Sequence, residues 1–207
     1  KYYRDFDIIN CYPVLLLQEY EKCCPNSSEL VNFKRYIEER DDILEDDMKL
    51  FNISRKDCKI IYLKPLFGGV IEKKYKTKFM TLYYNDIKIM IRELYKCDEL
   101  KHIAKQAEKK CKAENSNNIK GTFLSYVATK IETVVVKSFC KYLELKNIKI
   151  HCNAFDGIIC DCRSYGGDDP ILGCSAFIKQ ETGYEVEIVE KSMELTYEDE
   201  TRLRHKY

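Results

Sequence analysis

Apolar residues at helical spacing dominate the middle of the chain, and short β-type runs stand towards its two ends. The first β-type run leads into a helix, and together they cover residues 5–22. Pro25-Asn26-Ser27-Ser28 predicts a turn and a cap for the next helix. Ser54 predicts another N-cap, and Gly68-Gly69 predicts a helix end. The later helices predicted from this spacing cover about residues 29–50, 55–67 and 121–145, and residues 80–112 are predicted to form one or two helices.

Two apolar runs in the last third of the chain predict a β-hairpin with an acid at its tip. Residues 148–152 lead in and residues 158–162 lead out, with Asp156 between them and Gly157 supplying the turn. A metal ion can reach a carboxylate at a hairpin tip, although Asp is also common in turns for backbone reasons alone. Beyond the hairpin, the pattern predicts a loop at 165–167, a helix at about 170–180 and a strand at Tyr184–Val189.

Asp7 stands in a matching setting near the start of the chain, in a short strand that runs into a helix. Two carboxylates from distant strand ends are what a two-metal phosphoryl-transfer site needs. We therefore expect Asp7 and Asp156 to lie together and to hold Mg²⁺, with Asp5 as the alternative ligand. These elements predict an α+β fold in which a small antiparallel sheet carries the acids and helices back it.

Four residues of the predicted helix at 55–67 recur at every fourth position: Arg55, Lys59, Leu63 and Phe67. This spacing places them along one side of a helix. Arg suits a phosphate through its fork of donors, Lys acts as a point charge, and the two apolar groups suit a base and sugar. The same pattern also fits an amphipathic helix with two exposed cations.

The motifs between the two acids resemble those of family A DNA polymerases. Arg55-x3-Lys59-x3-Leu63-x3-Phe67-Gly68 is similar to the fingers helix of that family, Arg-x3-Lys-x3-Phe-x3-Tyr-Gly. Downstream, Ile119-Lys120-Gly121-Thr122 is similar to the start of its Ile-Gln-Gly-Thr-Ala-Ala-Asp helix, and Phe155-Asp156-Gly157 stands near the spacing of its His-Asp-Glu turn. Asp7-x4-Tyr12-Pro13 instead resembles the Asp-x4-Tyr-Pro element of family B. This mixture indicates a divergent viral, phage or mobile-element enzyme.

The resemblance implies a polymerase palm with a reduced helical fingers subdomain. Residues 1–28 and 115–207 would form the palm, and residues 29–114 the fingers-like region. The implied reaction is template-directed DNA synthesis, in which a dNTP is joined to the 3′-hydroxyl of a primer. The implied partners are a primer-template and a dNTP, and the implied cofactor is a pair of Mg²⁺ ions.

The resemblance also assigns a role to each matching residue. Asp7 and Asp156 would hold the metals. Arg55 and Lys59 would bind the triphosphate, and Lys59 would donate a proton to pyrophosphate. Tyr12 would be the steric gate that excludes ribose, although it also fits simple packing beside Pro13. The remaining substrate contacts would come from Leu63, Phe67 and Lys120.

Several positions depart from the family pattern. Gly157 replaces the second acid of the hairpin, Phe155 replaces its His, and Pro65 falls inside the fingers helix, where it should kink the chain. These departures leave open a catalytically inactive palm that serves as a nucleic-acid-binding or structural module. A two-metal nuclease or phosphatase is the other alternative, but it should have a denser set of acids and His near Asp7.

The charge and the cysteine content limit how the chain could bind nucleic acid and where it could function. The 207 residues carry a net charge of +1 with mixed signs, so nucleic acid would bind to local patches. Two such patches, Lys73/Lys74/Lys76/Lys78 and Lys105/Lys109/Lys110/Lys112, also fit plain solvated faces. Eleven cysteines without a CxxC pair indicate reduced thiols and an intracellular protein.

No apolar run of about 18 residues exists, so no membrane span is expected. The sequence begins at Lys1 without Met. We therefore expect a piece of a larger protein. A thumb, and an exonuclease or primase/helicase, would be the missing upstream domains.

Overall fold

The computed structural model describes residues 3–163, 165–167 and 169–192. The chain forms two units, Lys1–Cys11 with Val134–Tyr207, and Tyr12–Thr133. Within the described residues there are eight α-helices and one antiparallel sheet of four strands, which confirms the predicted α+β class. The finer division into palm and fingers stays a prediction. The strands are β1 (Tyr3–Ile8), β2 (Lys149–Ala154), β3 (Gly157–Asp161) and β4 (Ile188–Lys191).

The helices agree with most of the predicted spans. None of those in the described residues is long and apolar enough to cross a bilayer. Short 3₁₀ turns occur at Lys64–Phe67, Lys73–Tyr75 and Asp98–Leu100. The helices are α1 (Cys11–Cys23), α2 (Val31–Glu38), α3 (Arg40–Phe51), α4 (Arg55–Leu63), α5 (Lys78–Lys96), α6 (Lys101–Ala113), α7 (Ile119–Leu145) and α8 (Cys174–Thr182).

The first unit is organised by the sheet, whose strands follow the order β2-β3-β1-β4. Phe6 on β1 pairs with Ile158 on β3, and both side chains are buried on the same face. The C-terminal part of α7 packs on α8, where the rings of Tyr142 and Phe177 lie 5.5 Å apart. The alternation of apolar and polar residues in β1 places its two aspartates on the other sheet face.

The second unit is built around stacked aromatic rings. The Tyr36 ring lies 4.6 Å from that of Tyr62 and 4.9 Å from that of Tyr83, and all three side chains are buried. The Tyr62 hydroxyl donates to Asp47 at 2.5 Å, and the Tyr83 hydroxyl donates to the Tyr62 carbonyl at 3.1 Å. Each of these two buried hydroxyls thus has the partner that burial requires.

The predicted single helix at 29–50 is wrong, because the structure breaks it at Glu39 into α2 and α3. The break lets α2 pack on α5 while α3 packs on α4. The predicted cap is also wrong. α2 has no capping side chain of its own, and Asp86 on α5 accepts hydrogen bonds from the backbone N–H of Asn32 at 2.7 Å and of Phe33 at 3.0 Å.

Two elements near the C-terminus are displaced from their predicted bounds. α8 begins at Cys174, because a turn ending in left-handed Gly173 precedes it. The predicted strand at 184–189 is β4 at Ile188–Lys191. Tyr184, Val186 and Ile188 are buried alternately, but the pairing of β1 with β4 includes only Ile188 of these three residues. The alternating burial therefore begins at Tyr184, four residues before the first residue of β4.

Candidate active site

Asp7 lies on β1 of the first unit, and Asp156 lies in the hairpin turn that leads into the adjacent strand β3. β1 and β3 are antiparallel, and Asp7 lies opposite Gly157. The Ile8 N–H donates to the carbonyl of Asp156 at 3.2 Å, which fixes the hairpin tip beside the end of β1. Since Phe6 and Ile8 are buried, the alternation of the strand places Asp7 on the opposite, half-buried face together with Asp5.

The hairpin turn differs from its predicted form. Phe155 and Asp156 form the two-residue turn, and Gly157 is already the first residue of β3. The left-handed backbone that a tight hairpin needs falls on Phe155, with φ 56°, rather than on glycine. The Phe155 side chain is 85% exposed. An aromatic residue with positive φ is uncommon, so this turn carries some strain next to the candidate acid.

Lys191 is the counter-ion of this site. Its Nζ lies 2.5 Å from Oδ2 of Asp7. Burial raises the pKa of the neighbouring Asp5 carboxyl, the Lys191 charge opposes that rise and the Asp7 charge adds to it. The ammonium therefore compensates two adjacent carboxylates in this structure.

The donor set fits Mg²⁺. In proteins Mg²⁺ is typically held by one or two carboxylates, with water and substrate phosphates as its other ligands. Asp7 supplies one carboxylate from β1, and Asp156 supplies a second from the hairpin turn before β3. Within the described residues no group of three or more His, Cys, Asp or Glu is placed to hold a metal.

The residues Arg55, Lys59, Leu63 and Phe67, here called the cationic motif, lie in the second unit on α4 and the 3₁₀ turn that follows it. Ser54 caps this helix as predicted, because its hydroxyl accepts from the Asp57 N–H at 3.1 Å. Arg55 follows at the first helical position and pairs with Asp41 at 2.5 Å, while Lys59 lies one turn further along. The α-helix ends at Leu63, before Pro65, and the chain tightens into the 3₁₀ turn. The predicted kink at Pro65 within a continuous helix is therefore wrong, because the α-helix ends two residues before this proline.

Tyr12 and Phe67 meet although they are far apart in sequence. Their rings lie 5.6 Å apart in an edge-to-face arrangement. The Tyr12 hydroxyl also donates to Oε2 of Glu132 on α7 at 3.2 Å. The side chain is half-buried, and Pro13 does not account for these contacts. Glu132 was not predicted, because a lone Glu on a helix carries no sequence signal of a partner 120 positions away.

The start of α7 fits closely against the end of the cationic motif. The Asn118 side chain donates to the Phe67 carbonyl at 2.9 Å. A Cβ at Gly121 would lie 2.4 Å from the same carbonyl oxygen, so only glycine permits this approach. Gly68 has a left-handed φ of 79° and ends the 3₁₀ turn. Lys120, between these contacts, is exposed.

Comparison with known proteins adds one distant relative. No protein-family model matches the chain. A protein of Sputnik virophage named "Putative helicase V13" is 24% identical over 203 residues, which is 92% of this chain and 25% of that protein. The chain thus spans about a quarter of the length of the relative that it matches.

Proposed function

We propose that this chain is a polymerase palm with a reduced fingers region, and that it carries out template-directed DNA synthesis. One observation supports this most strongly. The two acids chosen from sequence, Asp7 and Asp156, are brought to neighbouring positions by the pairing of β1 with β3. A two-metal site needs this juxtaposition of carboxylates from distant parts of the chain.

The proposed chemistry divides between the acids and the cations. Asp7 and Asp156 would hold the Mg²⁺ ions, which when bound lower the pKa of a primer 3′-hydroxyl and neutralise the triphosphate charge. Arg55 would leave its exposed partner Asp41 for phosphate oxygens, because an exposed ion pair is worth only about 0–1 kcal/mol. Lys59 would bind a second phosphate and donate a proton to the leaving pyrophosphate.

The remaining residues would select the nucleotide. Leu63 and Phe67 would contact the base and sugar, and Lys120 would attract a phosphate of the primer strand. The Tyr12 ring would exclude a 2′-hydroxyl, since a steric clash discriminates against the wrong substrate. Its two contacts, the Phe67 ring and the Glu132 carboxylate, hold it in one orientation.

The relative's name suggests a different activity. A helicase motor binds nucleotide phosphates through a loop of the form GxxxxGK[ST]. This pattern does not occur in the 207 residues. We therefore do not extend the helicase activity in that name to this segment of sequence.

The second candidate is a palm that has lost catalysis and binds nucleic acid or serves a structural role. Gly157 at the position after Asp156, and the Lys191 ammonium on Asp7, favour it. An active enzyme would have to displace this ammonium when metal binds. Primer extension distinguishes the two candidates.

The test uses the whole chain with a labelled primer on DNA and RNA templates, in Mg²⁺ and dNTPs. We expect Asp7→Asn and Asp156→Asn each to lower incorporation by about 1,000-fold or more, and the double variant to cost little beyond either one. Asp46→Asn, an equal charge change at an exposed position on α3, is the control and should keep full activity.

Unchanged turnover in both single variants would exclude the two-metal site. Loss in Asp5→Asn with retention in Asp7→Asn would move the metal ligand to Asp5. Absence of incorporation by the unaltered chain would favour the inactive palm.

A further inference from the structure

A groove between α6 and α7 shares no residue with the candidate active site. Its volume is about 700 Å³, within the range of pockets that hold organic ligands. α6 contributes Lys109 and Lys110, and α7 contributes Tyr126 and Lys130. Lys105 and Lys112, the other members of the basic patch on α6, do not line it. The fold therefore divides a run of cations into two that face a groove and two that do not.

The groove is strongly cationic. Three ammonium groups line it, and no carboxylate is among the lining residues. Within the described part of the chain, Lys109 and Lys130 form no ion pair, and Lys110 has only an exposed contact with Glu114 at 4.0 Å. Glu108, the acid within α6, accepts a hydrogen bond from the Tyr95 hydroxyl of α5. The ligand that this groove suits is therefore an anion with several charges.

An aromatic ring adds a second requirement. Tyr126 is half-buried in the wall of the groove, and Nζ of Lys110 lies 5.6 Å from its ring centroid. A flat apolar surface beside ammonium groups suits a ligand with planar rings and phosphates in series. Proteins that bind single-stranded nucleic acid combine these two features, with bases stacked on aromatic side chains and the backbone along a positive groove.

We propose that the groove binds one single strand of nucleic acid, with phosphates on Lys109, Lys110 and Lys130 and a base on Tyr126. The choice of nucleic acid over an acidic polypeptide rests on the proposed function, whereas the positive charge of the groove does not. In a template-directed enzyme the occupant would be an unpaired stretch of template or displaced strand.

The test measures binding of a fluorescein-labelled dT12 oligonucleotide by anisotropy, with EDTA present so that no metal contributes. We expect Lys109→Gln/Lys130→Gln to weaken binding about 10-fold at 50 mM salt. Its log–log salt slope should fall by about 1.4, since each phosphate contact to a single strand contributes about 0.7. Lys105→Gln/Lys112→Gln, an equal charge change on the same helix outside the groove, is the matched control and should bind within about 2-fold of the unaltered chain.

Tyr126→Leu keeps the charge and removes the stacking surface. It should weaken binding about 10-fold with an unchanged salt slope, because stacking releases no counterions. Equal losses in the two lysine pairs would show diffuse attraction and overturn the site. Stronger competition by polyglutamate than by unlabelled dT12 would assign the groove to an acidic protein.

The groove and the polymerase can fail separately. Asp7→Asn should bind the oligonucleotide normally and yet lose primer extension. If the unaltered chain binds dT12 in the groove but extends no primer, the groove stands and the polymerase proposal falls. If the unaltered chain extends primers but the groove variants bind dT12 normally, the polymerase proposal stands and the groove proposal falls.

Discussion

At the scale of single residues, the sequence indicated Asp7 and Asp156 as candidate metal ligands, a role that stays a prediction, but it did not indicate the residues that contact the candidate site. Asp156 could be chosen because it stands alone in an apolar run, and Asp7 because it lies in a short strand that runs into a helix, and both are local signals. Glu132 and Lys191 could not, since their importance comes only from the tertiary contacts with Tyr12 and Asp7. The spacing of residues along the sequence does not indicate which distant residue a polar side chain will contact.

Tyr12 is the residue for which a packing role and a substrate role can be separated. Tyr12→Ala should raise the ratio of ribonucleotide to deoxyribonucleotide incorporation about 10-fold or more, equivalent to about 1.4 kcal/mol. Tyr12→Phe keeps the ring and its edge-to-face contact with Phe67, and loses only the hydrogen bond to Glu132. Its ratio should stay within about 3-fold of the original. Parallel loss of both activities in Tyr12→Ala, with an unchanged ratio, would identify a packing residue.

At the scale of elements, periodicity located the helices and strands but not all their ends. The Ser54 cap and the left-handed Gly68 that ends the 3₁₀ turn were predictable because both signals are local, whereas the end of α4 at Leu63 was not predicted. The break at Glu39 was not, because it reflects the packing of α2 on α5 and of α3 on α4. The junction between the 3₁₀ turn and α7 was visible only as two separate glycine-containing motifs.

That junction gives a prediction about stability. Gly121→Ala places a methyl group 2.4 Å from the Phe67 carbonyl oxygen, so the backbone must shift. We expect a loss of about 1–3 kcal/mol in the free energy of unfolding, measured in urea. Gly166→Ala adds the same methyl group where no atom lies within 4 Å, and should change stability by less than about 0.5 kcal/mol. Equal effects of the two substitutions would show that the close approach at Gly121 does not constrain the fold.

At the scale of the whole molecule, stability should depend on pH through Asp161 in β3. The Arg163 guanidinium donates to this carboxylate and lowers its pKa to about 2, below the ordinary value of about 3.9. A depressed pKa contributes stability above the unfolded value, and that contribution is lost as the pH falls through the folded value. The free energy of unfolding should therefore lose the contribution of the Asp161–Arg163 pair as the pH falls from about 4 to about 2.

Arg163→Gln tests this dependence. The variant should have a lower unfolding midpoint than the unaltered chain. This difference should be largest at pH 6 and smaller at pH 2.5, because the Asp161 carboxylate begins to protonate there. Lys101→Gln, which breaks the exposed pair with Asp98, is the control and should change the midpoint little at either pH. A difference for Arg163→Gln that is the same at both pH values would assign the effect to packing of the arginine rather than to the charge on Asp161.

The cap that Asp86 provides for α2 has a consequence for how the second unit opens. The Asp86 carboxylate lies on α5 and accepts a hydrogen bond from the N–H of Asn32, which is 54 positions earlier in the sequence. When α5 moves away, the first turn of α2 loses its acceptor while the ring stack of Phe33 on Tyr83 separates. The two helices should therefore exchange their amide hydrogens in a single cooperative event, although residues 39–77 separate them along the chain.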